Sequence, residues 1–307
     1  MNAGRFGAVV TAMITPMRDD GSLHVSEAAR LACWLVDHGS TGLVVAGTTG
    51  EGPTLDDEER LTLFKAVVEA VGQRVAVIAN AGSNDTRRSV EFARRAAACG
   101  VRALMAVGPY YNKPPQAGLI RHFTAIADAT DLPLMIYNIP GRTSVNILPD
   151  TIVRLAAHPK IVAVKESSGD LGQLAEIARR AAKGFDCYSG DDHLALAHAA
   201  VGGCGVVSVA SHVAGDDISA MFAAFARGDT GRAAAIHHTL MPLFQALFTV
   251  TSPIPVKAAV GMLGFSVGTC RAPLVELTSE QAQALRAAIA HWLPAPAASG
   301  STRASAS

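Results

Sequence analysis

Ile161-Val162-Ala163-Val164-Lys165-Glu166 is a run of four apolar, β-favouring residues that ends in a lysine. A segment this short and this apolar suits a strand buried on both faces, as in a parallel sheet. A lysine at its exit either snorkels to water or is held in a dry pocket. A dry pocket disfavours an ammonium. A neutral amine is a nucleophile for ketones, with which it forms a Schiff base.

Working outward, the same kind of segment recurs. Ala8–Val10, Leu43–Ala46, Val75–Ala79, Ala103–Val107, Leu134–Tyr137, Phe185–Tyr188 and Gly205–Val209 read as further strands. Successive strand ends lie about 20 to 36 residues apart, room for one strand, one helix and two loops. Helical patterns fill the gaps at Ser26–His38, Asp56–Val71, Thr86–Cys99, Gln116–Ala129, Pro149–Ala157 and Leu171–Ala182. Ser26 is expected to cap the first of these, and Asp57-Glu58-Glu59 suits the positive start of the second. Gly39, Gly72, Gly100 and Gly184 follow helix ends, where a left-handed residue is expected.

Eight βα units in a row predict an α/β fold, a (β/α)8 TIM barrel, over residues 1–212. A doubly wound open sheet is the competitor, and the even spacing favours closure. Beyond residue 212 the pattern changes to helices at Asp216–Arg227, Thr230–Phe248, Pro255–Leu263 and Ser279–Trp292. These make a C-terminal helical extension over 213–293. The remaining 294–307, rich in Pro, Ala and Ser, is expected to be a disordered tail.

The chain has 307 residues, 26 basic and 26 acidic, a balance that offers nucleic acid or anionic membrane no electrostatic footing. Its five cysteines are scattered without a CxxC pair, which suits a reduced, cytoplasmic protein. The apolar start, Phe6 to Met13, runs into Pro16 and Arg18-Asp19-Asp20 and has no cleavage site, so a signal peptide is not expected. No apolar run reaches the roughly 18 residues of a membrane span. The ten histidines lack metal-ligand spacing, and the glycine-rich Gly47–Gly52 lacks the GK[ST] of a phosphate loop.

In a barrel the reactive groups lie at the C-terminal ends of the strands. Those exits carry Gly47-Thr48-Thr49-Gly50-Glu51, Pro109-Tyr110-Tyr111-Asn112, Tyr137-Asn138-Ile139-Pro140-Gly141-Arg142-Thr143, Lys165 and Ser189-Gly190-Asp191-Asp192. An amine condensing with a ketone needs a proton shuttle to expel water from the carbinolamine. Tyrosine hydroxyls joined through a threonine can supply it. Backbone N–H groups of the Thr48-Thr49 turn suit a carboxylate, and Arg142 offers a planar fork for a second one. Each residue also has a plainer reading: Lys165 as a solvated strand end, Tyr137 as a core tyrosine, Gly47–Gly52 as a tight turn. Gly202-Gly203-Cys204-Gly205 precedes the last strand, on the face opposite catalysis, and is expected to serve packing.

GTTGE (Gly47–Glu51), PYYNKPPQ (Pro109–Gln116), YNIPGRT (Tyr137–Thr143), VKESSGD (Val164–Asp170), SGDD (Ser189–Asp192), GVVSVAS (Gly205–Ser211) and PIPVK (Pro253–Lys257) stand in one order. From about Phe6 to about Leu293 the chain resembles the dihydrodipicolinate synthase family, within the N-acetylneuraminate lyase superfamily of Schiff-base aldolases. The resemblance implies a lyase that needs no cofactor and is built as a homotetramer, a dimer of dimers. It implies that Lys165 forms the imine with pyruvate, and that Tyr137 gives and takes the proton. Thr48 then links Tyr137 to Tyr111 of a neighbouring subunit. Thr49, the Val207 carbonyl and Gly190 surround pyruvate, and Arg142 receives L-aspartate semialdehyde. The reaction implied opens lysine and diaminopimelate synthesis.

Arg142 separates this reading from a sugar-acid lyase, which has a small or apolar residue there. Another pyruvate-dependent aldolase or keto-acid dehydratase remains the enzymatic alternative, and a non-catalytic keto-acid binder the alternative of another class. Thr251-Ser252-Pro253 stands where the synthases usually read Asn-Pro, and Asn80-Ala81 replaces the usual Gly-Thr. The family's feedback site meets the lysine ammonium with an acid. Arg88 stands at that position here, beside Asp57 and Arg60 in place of histidines, so weak or absent lysine inhibition is expected.

Overall fold

The computed structural model describes residues 3–294. Of the expected tail, all but Pro294 lies outside these residues. Eight parallel strands close into one barrel in chain order. They are β1 (Val9–Ala12), β2 (Gly42–Val45), β3 (Ala76–Asn80), β4 (Ala103–Val107), β5 (Leu134–Asn138), β6 (Ile161–Glu166), β7 (Asp186–Ser189) and β8 (Gly205–Ser208). β8 pairs with β1, which removes every sheet edge and excludes the open sheet.

The helices are α1 (Val25–Asp37), α2 (Asp57–Val71), α3 (Thr86–Ala97), α4 (Gln116–Asp128), α5 (Pro140–Thr143), α6 (Pro149–Ala156), α7 (Leu171–Arg180) and α8 (Ala195–Ala200), followed by α9 (Ser211–Ala226), α10 (Thr230–Ala246), α11 (Ile254–Met262) and α12 (Ser279–Ala288). Every residue of β6 is buried, as a strand covered on both faces requires. Strand alternation divides the apolar residues into two cores. Val10, Val44, Ile78, Met135, Ala163 and Val207 fill the barrel interior. Leu43, Val77, Leu104, Ile136 and Val164 pack outward under the helices. At the N-terminal end the Tyr188 hydroxyl accepts the Phe6 N–H at 3.0 Å. The Gly202–Gly205 cluster lies near this end and serves packing. A Cβ on Gly205 would meet the Ala8 carbonyl oxygen at 2.4 Å.

Helix α2 starts as its acids suggest, with an added capping box: Asp56 accepts the Glu59 N–H, and the Glu59 carboxylate accepts the Asp56 N–H. Gly39, Gly100 and Gly184 take the left-handed conformation. Two expectations need correction. The residue before α1 is His24, and Ser26 already lies within the helix, where its hydroxyl can no longer cap the start. Gly72 is right-handed at φ −62°. What it supplies is room, since a Cβ there would meet the Val68 carbonyl oxygen at 2.6 Å.

α9 opens at Ser211, five residues before the expected Asp216, because a first turn is joined to the helix proper across a break at Ala214. α11 brings the C-terminal helices back to the barrel mouth. There Lys257 Nζ lies 2.6 Å from Glu51 Oε1, with both side chains buried. The Arg271 N–H donates to the other Glu51 oxygen at 2.7 Å. Among the described residues no helix is long and apolar enough to cross a membrane.

Candidate active site

The parallel register of β5 and β6 sets Tyr137 beside Lys165, and Asn138 beside Glu166. Side chains alternate along a strand, so the first pair enters the barrel and the second turns towards the helices. Lys165 is only 5% exposed. Its amine lies 4.0 Å from the centroid of the Tyr137 ring. A buried amine with the Tyr137 phenol ring of the adjacent strand against it is sheltered from bulk water, which is the setting that Schiff-base chemistry requires.

Thr48 and Thr49 follow β2 in a turn that carries two left-handed non-glycine residues, Ala46 and Glu51. Backbone bonds from Glu51 N to the Thr48 carbonyl (3.1 Å) and from Gly52 N to the Gly47 carbonyl (2.9 Å) close it. Thr49 is buried, and Val207 lies within the barrel interior on β8. Gly190 follows β7. A Cβ there would stand 1.8 Å from Ser167 Oγ and 3.0 Å from Lys165 Cε, so a side chain at 190 would displace the Ser167 hydroxyl and crowd the Lys165 stem.

Arg142 sits in α5, where its Nη2 donates to the Ser252 carbonyl at 3.1 Å. A cavity of about 400 Å³ opens over this region. Thr48, Tyr137 and Arg142 share its wall with Tyr110, Arg60 and Arg88. Lys165 lies outside that wall, against the Tyr137 ring. Burial pulls the Arg60 guanidinium down to about 10, against the opposing pull of Asp57. It therefore stays charged at neutral pH. The structure thus gathers Thr48, Tyr137 and Arg142 on one cavity and Lys165 against Tyr137. Tyr111 stands apart from them, 91% exposed with a left-handed backbone at φ 71°.

Other groups around the mouth were not evident as site residues in the sequence. Asp192 is buried and accepts the Ser208 hydroxyl and the N–H groups of Val209 and Ala210 (2.9 Å each), which ties the exit of β7 to that of β8. Burial raises its carboxyl above the ordinary range, although those three bonds pull the other way. Asn138 and Glu166 form a second buried knot behind Tyr137 and Lys165. A glutamate within a strand buried on both faces is the signal that could have exposed it, because such a charge needs donors.

The Dihydrodipicolinate synthetase family model matches residues 5–292. The 4-hydroxy-tetrahydrodipicolinate synthase of Symbiobacterium thermophilum is 54% identical over 286 residues, which cover 93% of this chain and 97% of that one. The protein of the same name from Synechococcus elongatus is 52% identical over 281 residues, 91% of this chain and 94% of that one. Among solved structures, a dihydrodipicolinate synthase of Bacillus anthracis superposes with a TM-score of 0.92 at 45% identity, covering 95% of this chain and all of that one. The Cyanidioschyzon merolae enzyme, solved with lysine bound, gives 0.92 at 46% identity, with coverage of 94% and 98%.

Proposed function

The chain belongs to the dihydrodipicolinate synthetase family, and from that premise we propose how its residues condense pyruvate with L-aspartate 4-semialdehyde. The product is 4-hydroxy-tetrahydrodipicolinate, and the activity is that of a lyase of lysine and diaminopimelate synthesis. The Lys165 amine attacks the keto carbon of pyruvate. Tyr137 protonates the departing hydroxyl, and water leaves as the imine forms. Loss of a methyl proton turns the imine into an enamine. The enamine carbon attacks the aldehyde carbon; as the C–C bond forms the imine is regenerated, and the aldehyde oxygen takes up a proton to become the hydroxyl of the product. The amino group of the former semialdehyde then adds to the imine carbon and expels Lys165, which closes the ring and frees the enzyme.

In this scheme Thr49, Gly190 and the Val207 carbonyl surround the pyruvate moiety, and Arg142 holds the carboxylate of the semialdehyde. Thr48 relays the Tyr137 proton to Tyr111 of a second subunit. The exposure of Tyr111 in the single chain suits a role across an interface. The assembly proposed is a homotetramer of two such pairs, working in the cytoplasm without a cofactor.

The observation that carries the reading is the amine of Lys165, buried 4.0 Å from the Tyr137 ring on the neighbouring strand. Borohydride reduction in the presence of pyruvate tests it. The expected result is one three-carbon adduct on the Lys165 peptide. An unmodified peptide would overturn the reading.

A further inference from the structure

Behind the reacting pair lies a polar network that the reaction scheme does not use. Glu166 is fully buried, and so is Asn138. Asn138 Nδ2 lies 3.0 Å from each oxygen of the Glu166 carboxylate. Gln173 Nε2 donates to Oε2 at 3.0 Å, and the Ser168 N–H donates to Oε1 at 2.7 Å. The Ile147 N–H donates to Asn138 Oδ1 at 3.0 Å. That bond fixes the amide's orientation, because a backbone N–H can only donate. The Asn138 NH2 therefore must face the glutamate, and it also reaches Asn146 Oδ1 at 2.8 Å. Asn146 and Gln173 close the ring through a bond of 2.8 Å from Asn146 Nδ2 to Gln173 Oε1.

Four donor contacts thus converge on one carboxylate, and none comes from a cation. A buried polar network with every member partnered permits few alternative arrangements. Its two central members are the strand neighbours of the reacting groups: Asn138 follows Tyr137, and Glu166 follows Lys165. The same bonds pin Asn146 and Ile147, which close the loop that carries Arg142.

We infer that Asn138 and Glu166 are positioning residues, whose bond across the β5–β6 exit holds the Tyr137 phenol and the Lys165 amine in reacting register. The inference rests on the Schiff-base reading above. Asn138 and Glu166 point away from the barrel interior that Tyr137 and Lys165 enter. Their effect falls on the turnover of bound pyruvate, where a displacement of about 1 Å costs on the order of 10²-fold.

The test compares the full-length wild type with Glu166→Gln, Asn138→Asp and the reciprocal Glu166→Gln/Asn138→Asp double variant. Each is scored for thermal stability, for borohydride-trapped sites, and for kcat and KM per trapped site. Glu166→Gln is expected to trap pyruvate and to keep KM for pyruvate within about twofold, while kcat falls about 30-fold. The double variant restores one carboxylate and one facing amide, and is expected to recover about tenfold of that loss. A merely structural role would lower the melting temperature and leave kcat per trapped site unchanged.

The inference is overturned if folded Glu166→Gln turns over within about twofold of wild type, or if the double variant is no faster than the single ones. Should Glu166→Gln fail to fold, Gln173→Leu removes one donor from the edge of the network. It is expected to lower kcat about threefold with trapping retained, and an unchanged kcat overturns the inference. A wild type that traps no pyruvate on Lys165 sinks the Schiff-base reading and this inference together. A wild type that traps, beside a Glu166→Gln variant at full rate, sinks this inference alone.

Discussion

Two carboxylates near the barrel mouth are held in opposite ways. Glu166 is buried among neutral donors, all within 3.0 Å. Asp57, at the start of α2, is partly exposed and shared by three guanidinium groups, Arg60, Arg88 and Arg95, at 3.5, 3.4 and 3.8 Å. The short, dry arrangement fixes where neighbouring atoms stand. The long, wet one leaves positions loose and sets mainly a local electrostatic field, which salt screens. Geometry at this mouth is therefore expected to depend on the buried side, and charge preference on the exposed side.

The sharpest way to separate the two is Arg142→Ala. Arg142 is tethered to Ser252 and lines the cavity with Arg60 and Arg88, while the loop that follows it runs into the buried network at Asn146. The expected outcome is retained pyruvate trapping with kcat/KM for the semialdehyde about 10- to 100-fold lower, the worth of one charged hydrogen-bonding group. Unchanged kcat/KM in a coupled assay would remove the guanidinium from substrate recognition.

A pH titration of stability probes the buried side next. Burial lowers His122, His198 and His212 to about 4 each. The unfolded chain binds these protons at about 6.5, so between those values it holds more protons than the folded one. Stability contributed by the neutral rings is present above pH 6.5 and is lost as pH falls towards 4. The melting temperature is expected to be level from about pH 8 to 6.5 and to drop by several degrees below that. Among the described residues neither ring nitrogen of His198 has a partner, so His198→Leu is expected to flatten part of the slope. An acid limb that is unchanged in this variant would count against the histidine account.

The exposed side should yield less. Arg95→Ala, which removes only an exposed partner of Asp57, is expected to move the melting temperature by no more than about 2 °C and to leave kcat unchanged, as for surface ion pairs generally. A loss comparable to that of Glu166→Gln would erase the contrast. The smallest expected effect is that of added lysine. Among the described residues, the cavity wall carries Arg60, Arg88 and Arg142 and no carboxylate. A lysine ammonium meets three guanidinium groups and no carboxylate on that wall, so an activity curve flat into the millimolar range is expected. Inhibition at low lysine would break this reading of the charge.

The strands and their exits could be read because a strand buried on both faces must be apolar, and Lys165 interrupts that pattern at its end. The threonine turn, Tyr137 and Arg142 could be placed on one mouth because barrel topology brings strand exits together. The Asn138–Glu166 knot could not be read in the same way. Its members come from β5, β6, α7 and the loop after α5, and their meeting depends on a register no local pattern encodes. The cap at Ser26 and the left-handed Gly72 failed for a related reason. Each is a local preference, overridden where packing set the first turn of α1 and the crowding at the end of α2.

The ion pair between Glu51 and Lys257 binds residues 206 positions apart. Glu51 ends the GTTGE turn, so a barrel lacking α11 is without the cation that pairs with that carboxylate in the finished mouth. During synthesis from the N-terminus, the strands emerge long before Lys257 does. The threonine turn must wait for the last quarter of the polypeptide before it can set, and a nascent chain still short of that lysine has a barrel's worth of strands but an unfinished mouth.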